Sequence, residues 1–276
     1  MSERQAKAYP DAVETEVRRV VLRTGVTLPV LLTGPRRDVP LLLLHPWGES
    51  RRTFDRLVPA LPGFRLIVPD LRGHGEADKP DGGYSLSEQA ADVVALLDAL
   101  HVTRAFVLGS SSGGYVAQQL AVSFPERVAA LVLLGTPLSL TRRPDFADEL
   151  ARLTDPVSES WVRASLAWFP LERRVPTWFI EDRVRDGVRI PARAWSGVLE
   201  GLCAAVPPTE TGLIQAPTLI LWGALDLILP RSSQEKLADR ISDSRLKVYP
   251  GVGHLVLWEV PELVAEDAAL FLASVH

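Results

Sequence analysis

The stretch Gly-Ser-Ser-Ser-Gly-Gly at residues 109–114 decides the fold of this chain. It follows an apolar run, Ala105 to Gly109, that is typical of a buried strand, and it leads into a helical pattern from Ser112 to Phe124. Glycines beside the serines let a strand pass into a helix through a very tight turn without clashing side chains. Such a turn predicts that Ser111, its central residue, projects its hydroxyl beyond the carboxyl end of the strand. The side chains of Ser110 and Ser112 are expected to point elsewhere.

Short apolar runs on both sides of this turn predict the strands of one sheet. Continuous runs without polar alternation are typical of strands that are buried on both faces of a parallel sheet. Two N-terminal runs flank Thr24-Gly25 and predict a strand pair joined by a turn. The last run predicts an edge strand. The predicted strands cover Val17 to Arg23, Thr27 to Thr33, Val39 to His45, Phe64 to Pro69, Ala105 to Gly109, Val128 to Gly135, Pro217 to Trp222 and Arg245 to Tyr249.

Helical patterns separate these runs. Ser85 and Glu88 form the Ser-x-x-Glu spacing of a capping box, which predicts a helix start at Ser85. The predicted helices cover Ser85 to Leu100, Ser112 to Phe124, Pro230 to Ile241 and Pro261 to Val275. Strands that alternate with helices predict an α/β fold, a mostly parallel sheet with helices on both faces.

The alternation breaks between Pro137 and Ala216. This segment has no strand-like run, and its helical patterns lie around Asp145 to Leu153, Ser158 to Phe169, Thr177 to Val184 and Pro191 to Ala204. We therefore predict a helical cap at residues 137–215, inserted into a core domain that comprises residues 1–136 and 216–276.

The composition excludes several classes of protein. The chain has 276 residues and a net charge of −4, whereas a nucleic-acid binder normally carries a basic excess. Its longest apolar stretches are far short of the roughly 18 residues that span a membrane, so we expect no membrane contact and a soluble, cytoplasmic protein. One cysteine, Cys203, excludes a disulfide framework and a cysteine-rich metal site. The sequence does not indicate an oligomeric state.

A serine hydroxyl becomes a strong nucleophile only when a base takes its proton. His254 follows the last predicted strand, and Asp226 follows the strand that ends at Trp222. Since parallel strands end at the same edge of a sheet, these residues and Ser111 are expected to meet there. An aspartate beside the histidine would hold its tautomer and stabilise the imidazolium. The chain order Ser111, Asp226, His254 is that of the hydrolases built on this turn.

A tetrahedral intermediate also needs donors for its oxyanion. The backbone N–H of Ser112 is one candidate, because it lies at a helix N-terminus directly after Ser111. The second donor is expected from the loop after the strand that ends at His45. Pro46 has no N–H, so the candidate there is the backbone N–H of Trp47. No metal and no cofactor is required.

The sequence resembles the α/β-hydrolase fold family from about Arg18 to Val275. The matching landmarks are His45-Pro46-Trp47, Asp70 to Gly75, residues 109–113, Gly223 to Asp226 and Gly253-His254. The family usually has His-Gly where this chain has His45-Pro46, which leaves the donor at Trp47 in place. Epoxide hydrolases and haloalkane dehalogenases of the family use aspartate at the position of Ser111, which disfavours alkyl-enzyme chemistry here. We interpret Asp70 to Gly75 as an architectural turn with an internal Asp–Arg contact.

The resemblance is to capped, cofactor-free serine hydrolases and implies hydrolysis of an ester or lactone of a small, mostly apolar molecule through an acyl-enzyme. Three alternatives stay open: a ligand receptor or signalling protein on the same fold, a haloperoxidase-like perhydrolase, and a carbon–carbon bond hydrolase. The candidate substrate-pocket residues are Trp47 and the four tryptophans of the predicted cap, which are Trp161, Trp168, Trp178 and Trp195.

Overall fold

The computed structural model describes residues 15–35 and 40–275 of the chain. Its strands are β1 (Glu16–Val21), β2 (Thr27–Thr33), β3 (Pro40–Leu44), β4 (Arg65–Pro69), β5 (Ala105–Ser110), β6 (Val128–Leu134), β7 (Thr218–Gly223) and β8 (Ser244–Tyr249). They form one sheet in the order β1-β2-β4-β3-β5-β6-β7-β8. β2 runs antiparallel to β1 and β4, and every other neighbouring pair is parallel.

The predicted α/β class and its mostly parallel sheet are therefore confirmed, and β8 is the predicted edge strand. Strand bounds agree with the sequence patterns to within two residues where they can be compared. The predicted strand start at Val39, the residues 1–14 of the predicted core domain and His276 lie outside the described residues.

Helices cover both faces of the sheet and fill the long connection between β6 and β7. They are α1 (Leu86–Ala99), α2 (Ser112–Ser123), α3 (Ala147–Leu150), α4 (Glu159–Ser165), α5 (Thr177–Val188), α6 (Ala192–Cys203), α7 (Pro208–Thr211), α8 (Arg231–Arg240), α9 (Val256–Glu259) and α10 (Pro261–Ser274). The capping box before α1 forms as predicted, since the Ser85 hydroxyl accepts the Glu88 N–H at 3.3 Å and the Glu88 carboxylate accepts the Ser85 N–H at 3.0 Å.

Side chains of the central strands alternate between two hydrophobic clusters. In β3, Leu41 and Leu43 pack in the cluster that contains α10, whereas Leu42 and Leu44 pack in the cluster that contains α1 and α2. All four leucines are fully buried. This burial on both faces is the reason why the strand appears in the sequence as an unbroken apolar run.

The connection between β6 and β7 holds α3 to α7. The pattern around Asp145 to Leu153 forms only the short helix α3, and the pattern from Ser158 to Phe169 divides into α4 and a 3₁₀ turn at Leu166–Trp168. The division of the chain into a core and a cap at residues 137–215 stays a prediction.

The expected contact within the Asp70 to Gly75 turn is wrong. Asp70 pairs instead with Arg51. Arg72 forms a bidentate pair with Asp92 on α1, in which each of the two hydrogen bonds is 2.7 Å long. The turn directs the two side chains to different neighbours, so each ion pair ties this loop to another segment. Sequence spacing alone does not show which charged residues approach each other.

The turn between β5 and α2 holds Ser111 in a left-handed backbone conformation, with φ 48° and ψ −118°. For a residue with a side chain this conformation costs about 1–3 kcal/mol, so the surrounding packing must enforce it. Gly113 is part of that packing. A Cβ atom there would lie 2.3 Å from the Leu44 carbonyl oxygen and 2.6 Å from that of His45.

We therefore expect Gly113→Ala to destabilise the fold by about 3 kcal/mol, since the added methyl group meets backbone atoms that cannot rotate away. The corresponding fall in Tm is roughly 6–12 °C by differential scanning calorimetry. Gly82→Ala is the matched control, because a Cβ atom at Gly82 would meet no atom within 4 Å. Equal Tm values for the two variants would contradict the close packing of the turn.

Candidate active site

Three side chains from separate loops form a hydrogen-bonded chain at the carboxyl edge of the sheet. Ser111 follows β5, Asp226 follows β7 and His254 follows β8. The Ser111 hydroxyl lies 3.1 Å from His254 Nε2, and His254 Nδ1 lies 2.8 Å from Asp226 Oδ2. Asp226 and His254 are buried, whereas Ser111 is partly exposed. The structure thus brings together the three residues that the sequence singles out.

The loop after β7 fixes the Asp226 carboxylate from the side opposite the histidine. Its Oδ1 accepts the backbone N–H groups of Ile228 at 2.8 Å and Leu229 at 2.9 Å. These two bonds leave Oδ2 aimed at His254 Nδ1. A carboxylate held in this way orients the imidazole and keeps Nε2 directed at the serine.

Two residues that sequence reasoning missed hold His254. The Phe169 ring stacks on the imidazole with centroids 5.4 Å apart. The buried Glu259 carboxylate accepts the Gly253 N–H at 3.2 Å and the Glu172 N–H at 3.3 Å, so it ties the histidine loop to the connection that follows α4. Burial raises the pKa of Glu259 above its ordinary value. The position of Glu259 five residues after His254 is the only signal that the sequence carries of this contact.

The two candidate oxyanion donors lie beside Ser111, but one of them already has an acceptor. Ser112 begins α2, so its backbone N–H is one of the free donors of the helix N-terminus. The Trp47 N–H donates to the Ser112 hydroxyl at 2.6 Å. We expected the side chain of Ser112 to point away from the site, and this expectation is wrong. The tight turn brings Ser112 against the loop after β3.

An aromatic cluster joins this loop to the helices between β6 and β7. The Trp47 ring stacks on Phe146 and Trp168, with centroids 5.8 and 6.4 Å apart, and meets Trp195 edge-on at 4.9 Å. Trp47 Nε1 also donates to the Trp195 carbonyl at 3.0 Å. These contacts fix Trp47, so the backbone N–H beside the site has a defined position.

The Ser111 and His254 side chains open onto a partly enclosed cavity of about 80 Å³. Its walls are mainly apolar, and many come from the connection between β6 and β7, including Leu140, Phe146, Phe169, Leu199 and Leu202. A wider surface groove of about 920 Å³ lies beside Tyr84 and Gly201, and none of the three side chains of the Ser–His–Asp chain lines it. The smaller cavity is therefore the one that adjoins the candidate catalytic side chains.

Comparison with known proteins identifies the family of this chain. The sequence model of the α/β hydrolase fold family matches residues 39–178 and 178–261. The chain belongs to the α/β-hydrolase family. It is 29% identical to a Bacillus subtilis protein provisionally named 2-succinyl-6-hydroxy-2,4-cyclohexadiene-1-carboxylate synthase, over 93% of this chain and 98% of that protein.

Two further comparisons agree with the family. The non-heme chloroperoxidase of Streptomyces lividans is 29% identical over 87% of this chain and 94% of its own. The crystal structure of the esterase RhEst1 from Rhodococcus sp. ECU1013 superposes with a TM-score of 0.80 and 26% identity, covering 94% of this chain and 99% of the other. The names of these relatives cover different reactions, so they leave the substrate of this α/β-hydrolase open.

The candidate pocket tryptophans of this α/β-hydrolase occupy three different environments. Trp47, Trp168 and Trp195 line a second, inner cavity that adjoins the first. Trp161 packs edge-on against both Trp168 and Trp195, at 5.7 and 5.3 Å. Trp178 lines neither cavity, so its assignment to the substrate pocket is wrong. Its side chain is 52% exposed, and its only described ring contact is with Phe179. It lies on the solvent side of α5, which the helical pattern alone does not reveal.

Among the described residues, no group of three or more histidine, cysteine, aspartate or glutamate side chains is arranged to hold a metal ion. In the same part of the chain, no helix has the length and apolar character needed to cross a membrane. Cys203 is half-buried, and it lines neither the cavity beside Ser111 nor the inner cavity.

Glu49 is a buried carboxyl group in the wall of the cavity that sequence reasoning did not identify. It is 8% exposed, and Trp258 Nε1 donates to it at 3.2 Å. Burial raises the pKa of Glu49 to about 7, against the lowering effects of Thr53, Arg183 and Trp258. The folded protein therefore holds this proton more tightly than the unfolded chain does.

The raised pKa of Glu49 predicts a stability that falls as the pH rises. Between the ordinary value of 4.5 and about 7, the unfolded chain loses a proton that the folded protein keeps, which costs the fold about 3 kcal/mol above pH 7. The free energy of unfolding of Glu49→Gln, minus that of the wild type, should be larger at pH 8 than at pH 5 by about 2–3 kcal/mol. Urea unfolding at both values measures this difference.

Glu262→Gln provides the control, because the side chain of Glu262 is 71% exposed. The free energy of unfolding of this variant should differ from that of the wild type by the same amount at the two pH values. If Glu49→Gln behaves in the same way as this control, the buried carboxyl is ionised in the fold throughout and our interpretation is wrong.

Proposed function

We propose that this α/β-hydrolase cleaves an ester or lactone of a small, mostly apolar molecule through an acyl-enzyme on Ser111. The observation that supports the proposal is the hydrogen-bonded chain Ser111–His254–Asp226, whose first two members line a partly enclosed, largely apolar cavity. Ligands bury most of their surface in such cavities, which favours apolar groups.

In the proposed reaction, His254 Nε2 takes the hydroxyl proton of Ser111 as the oxygen attacks the substrate carbonyl carbon. The negative charge on the carbonyl oxygen is stabilised by the backbone N–H groups of Ser112 and Trp47. The tetrahedral intermediate collapses as the imidazolium returns its proton to the leaving alkoxide. Asp226 stays ionised and stabilises the imidazolium throughout. A water molecule then repeats these steps on the acyl-enzyme and releases the acid.

The Trp47 N–H must exchange its present acceptor during this reaction. It donates to the Ser112 hydroxyl at 2.6 Å, which lies where an oxyanion would accept the same bond. Binding of a carbonyl oxygen therefore requires the Ser112 side chain to rotate. A buried polar contact is given up and replaced by a charge-assisted one, which is the stronger of the two.

The proposal predicts steady multiple turnover of p-nitrophenyl esters. Ser111→Ala should lower kcat by about 10⁴-fold or more, because the three side chains act as a unit. Ser110→Ala should stay within about tenfold of the wild type, and Ser112→Ala should not lower kcat, since it removes only the competing acceptor of Trp47. A fluorophosphonate probe should label Ser111 alone.

Each competing function has its own outcome in this assay. A single turnover followed by a stable adduct would indicate a ligand receptor. Activity that depends on peroxide and acetate would indicate a perhydrolase, and cleavage of a vinylogous diketone without ester cleavage would indicate a carbon–carbon bond hydrolase. Labelling of Ser110 instead of Ser111 would overturn the assignment of the nucleophile.

The tryptophans that line the inner cavity should control the preferred acyl length. Trp168→Leu and Trp195→Leu each remove ring volume from the wall, so the optimum in a series of p-nitrophenyl esters should move to longer chains. Trp178→Leu is the matched control, because this exposed ring should leave the preference unchanged. Thermal melts identify any variant that only destabilises. An unchanged optimum in both lining variants would contradict this assignment.

A further inference from the structure

The inner cavity that Trp47, Trp168 and Trp195 line, called the inner chamber from this point on, adjoins the cavity that Ser111 lines. It has a volume of about 40 Å³ and shares Trp47, Glu49, Phe169, Leu255 and Trp258 with that cavity as common walls. A buried water molecule needs about 10–15 Å³, so the chamber can hold a small polar group at the end of a substrate chain. Most of its lining is aromatic or aliphatic, which makes its one buried cation unusual.

That cation is Arg183, on α5. The side chain is about 1% exposed, and it lines the inner chamber. Its Nη2 lies 2.9 Å from Asp186 Oδ2, yet none of its three nitrogens donates a well-aligned hydrogen bond within the described residues. Asp186 Oδ2 instead accepts the Ser50 hydroxyl at 2.6 Å. The guanidinium also lies over the Phe179 ring, 4.9 Å from its centroid.

Unused donors in a buried guanidinium are costly. A guanidinium has five N–H groups, and a buried donor without an acceptor costs about 1–3 kcal/mol, more when it is charged. An ion pair with Asp186 and contact with an aromatic ring neutralise and cover Arg183 but leave these donors unmatched. The chamber is therefore lined by hydrogen-bond donors that have no acceptor among the described residues.

The charges around Arg183 indicate what kind of acceptor fits. Asp186 already balances the positive charge, and two more carboxyl groups, Glu49 and Asp55, interact with the guanidinium from other segments. Burial raises the pKa of both groups, as expected where negative charge is poorly solvated. An additional carboxylate would meet the same difficulty, whereas an uncharged oxygen would not.

We propose that the inner chamber binds a ketone or hydroxyl oxygen on the acyl chain of the substrate, through the guanidinium of Arg183. The proposal rests on the proposed ester hydrolysis and names the substrate class within it, an oxo- or hydroxyacyl ester or lactone. The scissile carbonyl lies at Ser111, and the second oxygen lies beyond the partition formed by Trp47 and Trp258. Arg183 thereby acts in specificity and takes no part in the bond-breaking steps.

The test compares p-nitrophenyl esters that differ only in the remote group. Hexanoate is the apolar reference, 4-oxo- and 5-oxohexanoate carry the uncharged acceptor, and the adipate monoester carries a carboxylate. One hydrogen bond to a charged donor should raise kcat/KM of an oxo ester by about tenfold over hexanoate. The adipate monoester should show no such advantage. A preference for the adipate ester would overturn the proposal, because the chamber would then be an anion site.

The double variant Arg183→Met/Asp186→Asn removes the donors without leaving a buried charge unpaired. It should abolish the oxo preference and change kcat/KM for hexanoate by less than about threefold. Arg163→Met, which removes an exposed arginine of α4, is the control and should retain the preference. If the double variant does not fold, Arg183→Lys keeps the charge and should reduce the preference, since an ammonium lacks the planar fork of donors.

Binding to the Ser111→Ala protein separates this inference from the proposed function. Isothermal titration with the intact esters should show about tenfold tighter binding of an oxo ester than of hexanoate. Ester turnover by the wild type with equal affinities here would overturn the inference and leave the function standing. Tighter binding of the oxo ester without any turnover would support the chamber and overturn the function.

Discussion

The passage from β5 into α2 forces Ser111 into a backbone conformation that few side-chain-bearing residues adopt, and the candidate site is arranged around this strained residue. The strain is held by close contact between backbones: Gly113 leaves no space for a Cβ atom against the Leu44 carbonyl oxygen. β3, which carries Leu44, is also the strand that leads to Trp47. The same contact therefore sets the distance between the serine turn and the loop that carries Trp47, the candidate second oxyanion donor. A shift of the serine turn would therefore also move the loop that carries Trp47.

Buried hydrogen bonds around the site fix orientation more than they contribute to stability. Asp226 accepts two backbone N–H groups on one oxygen and faces His254 with the other. Glu259 accepts backbone N–H groups from two segments and thereby holds the histidine loop. Each such bond contributes little net free energy, because water would satisfy the same groups in the unfolded chain. Their effect is to remove alternative orientations of the imidazole.

The cavity combines an apolar wall with a few polar groups that the fold has not fully satisfied. The aromatic cluster around Trp47 covers part of the cavity beside the serine, which strengthens the electrostatic interactions there. Burial makes Glu49 hold its proton, and the three guanidinium nitrogens of Arg183 find no well-aligned acceptor among the described residues. Buried polar groups without partners lower stability, and the proposed recognition of a polar group on the substrate is what would give Arg183 an acceptor.

The sequence by itself determined the fold class, the strand–helix alternation and the order Ser111, Asp226, His254. It could do so because these features depend on local spacing and on one rule of topology, that parallel strands end at the same edge of a sheet. Only the tertiary structure decided that Trp178 faces solvent, that the Ser112 hydroxyl accepts the Trp47 N–H, and that Glu49 meets Trp258. The last pair lies 209 residues apart in the chain. Such contacts arise where separate elements pack together, and local spacing does not encode which residues of distant segments meet.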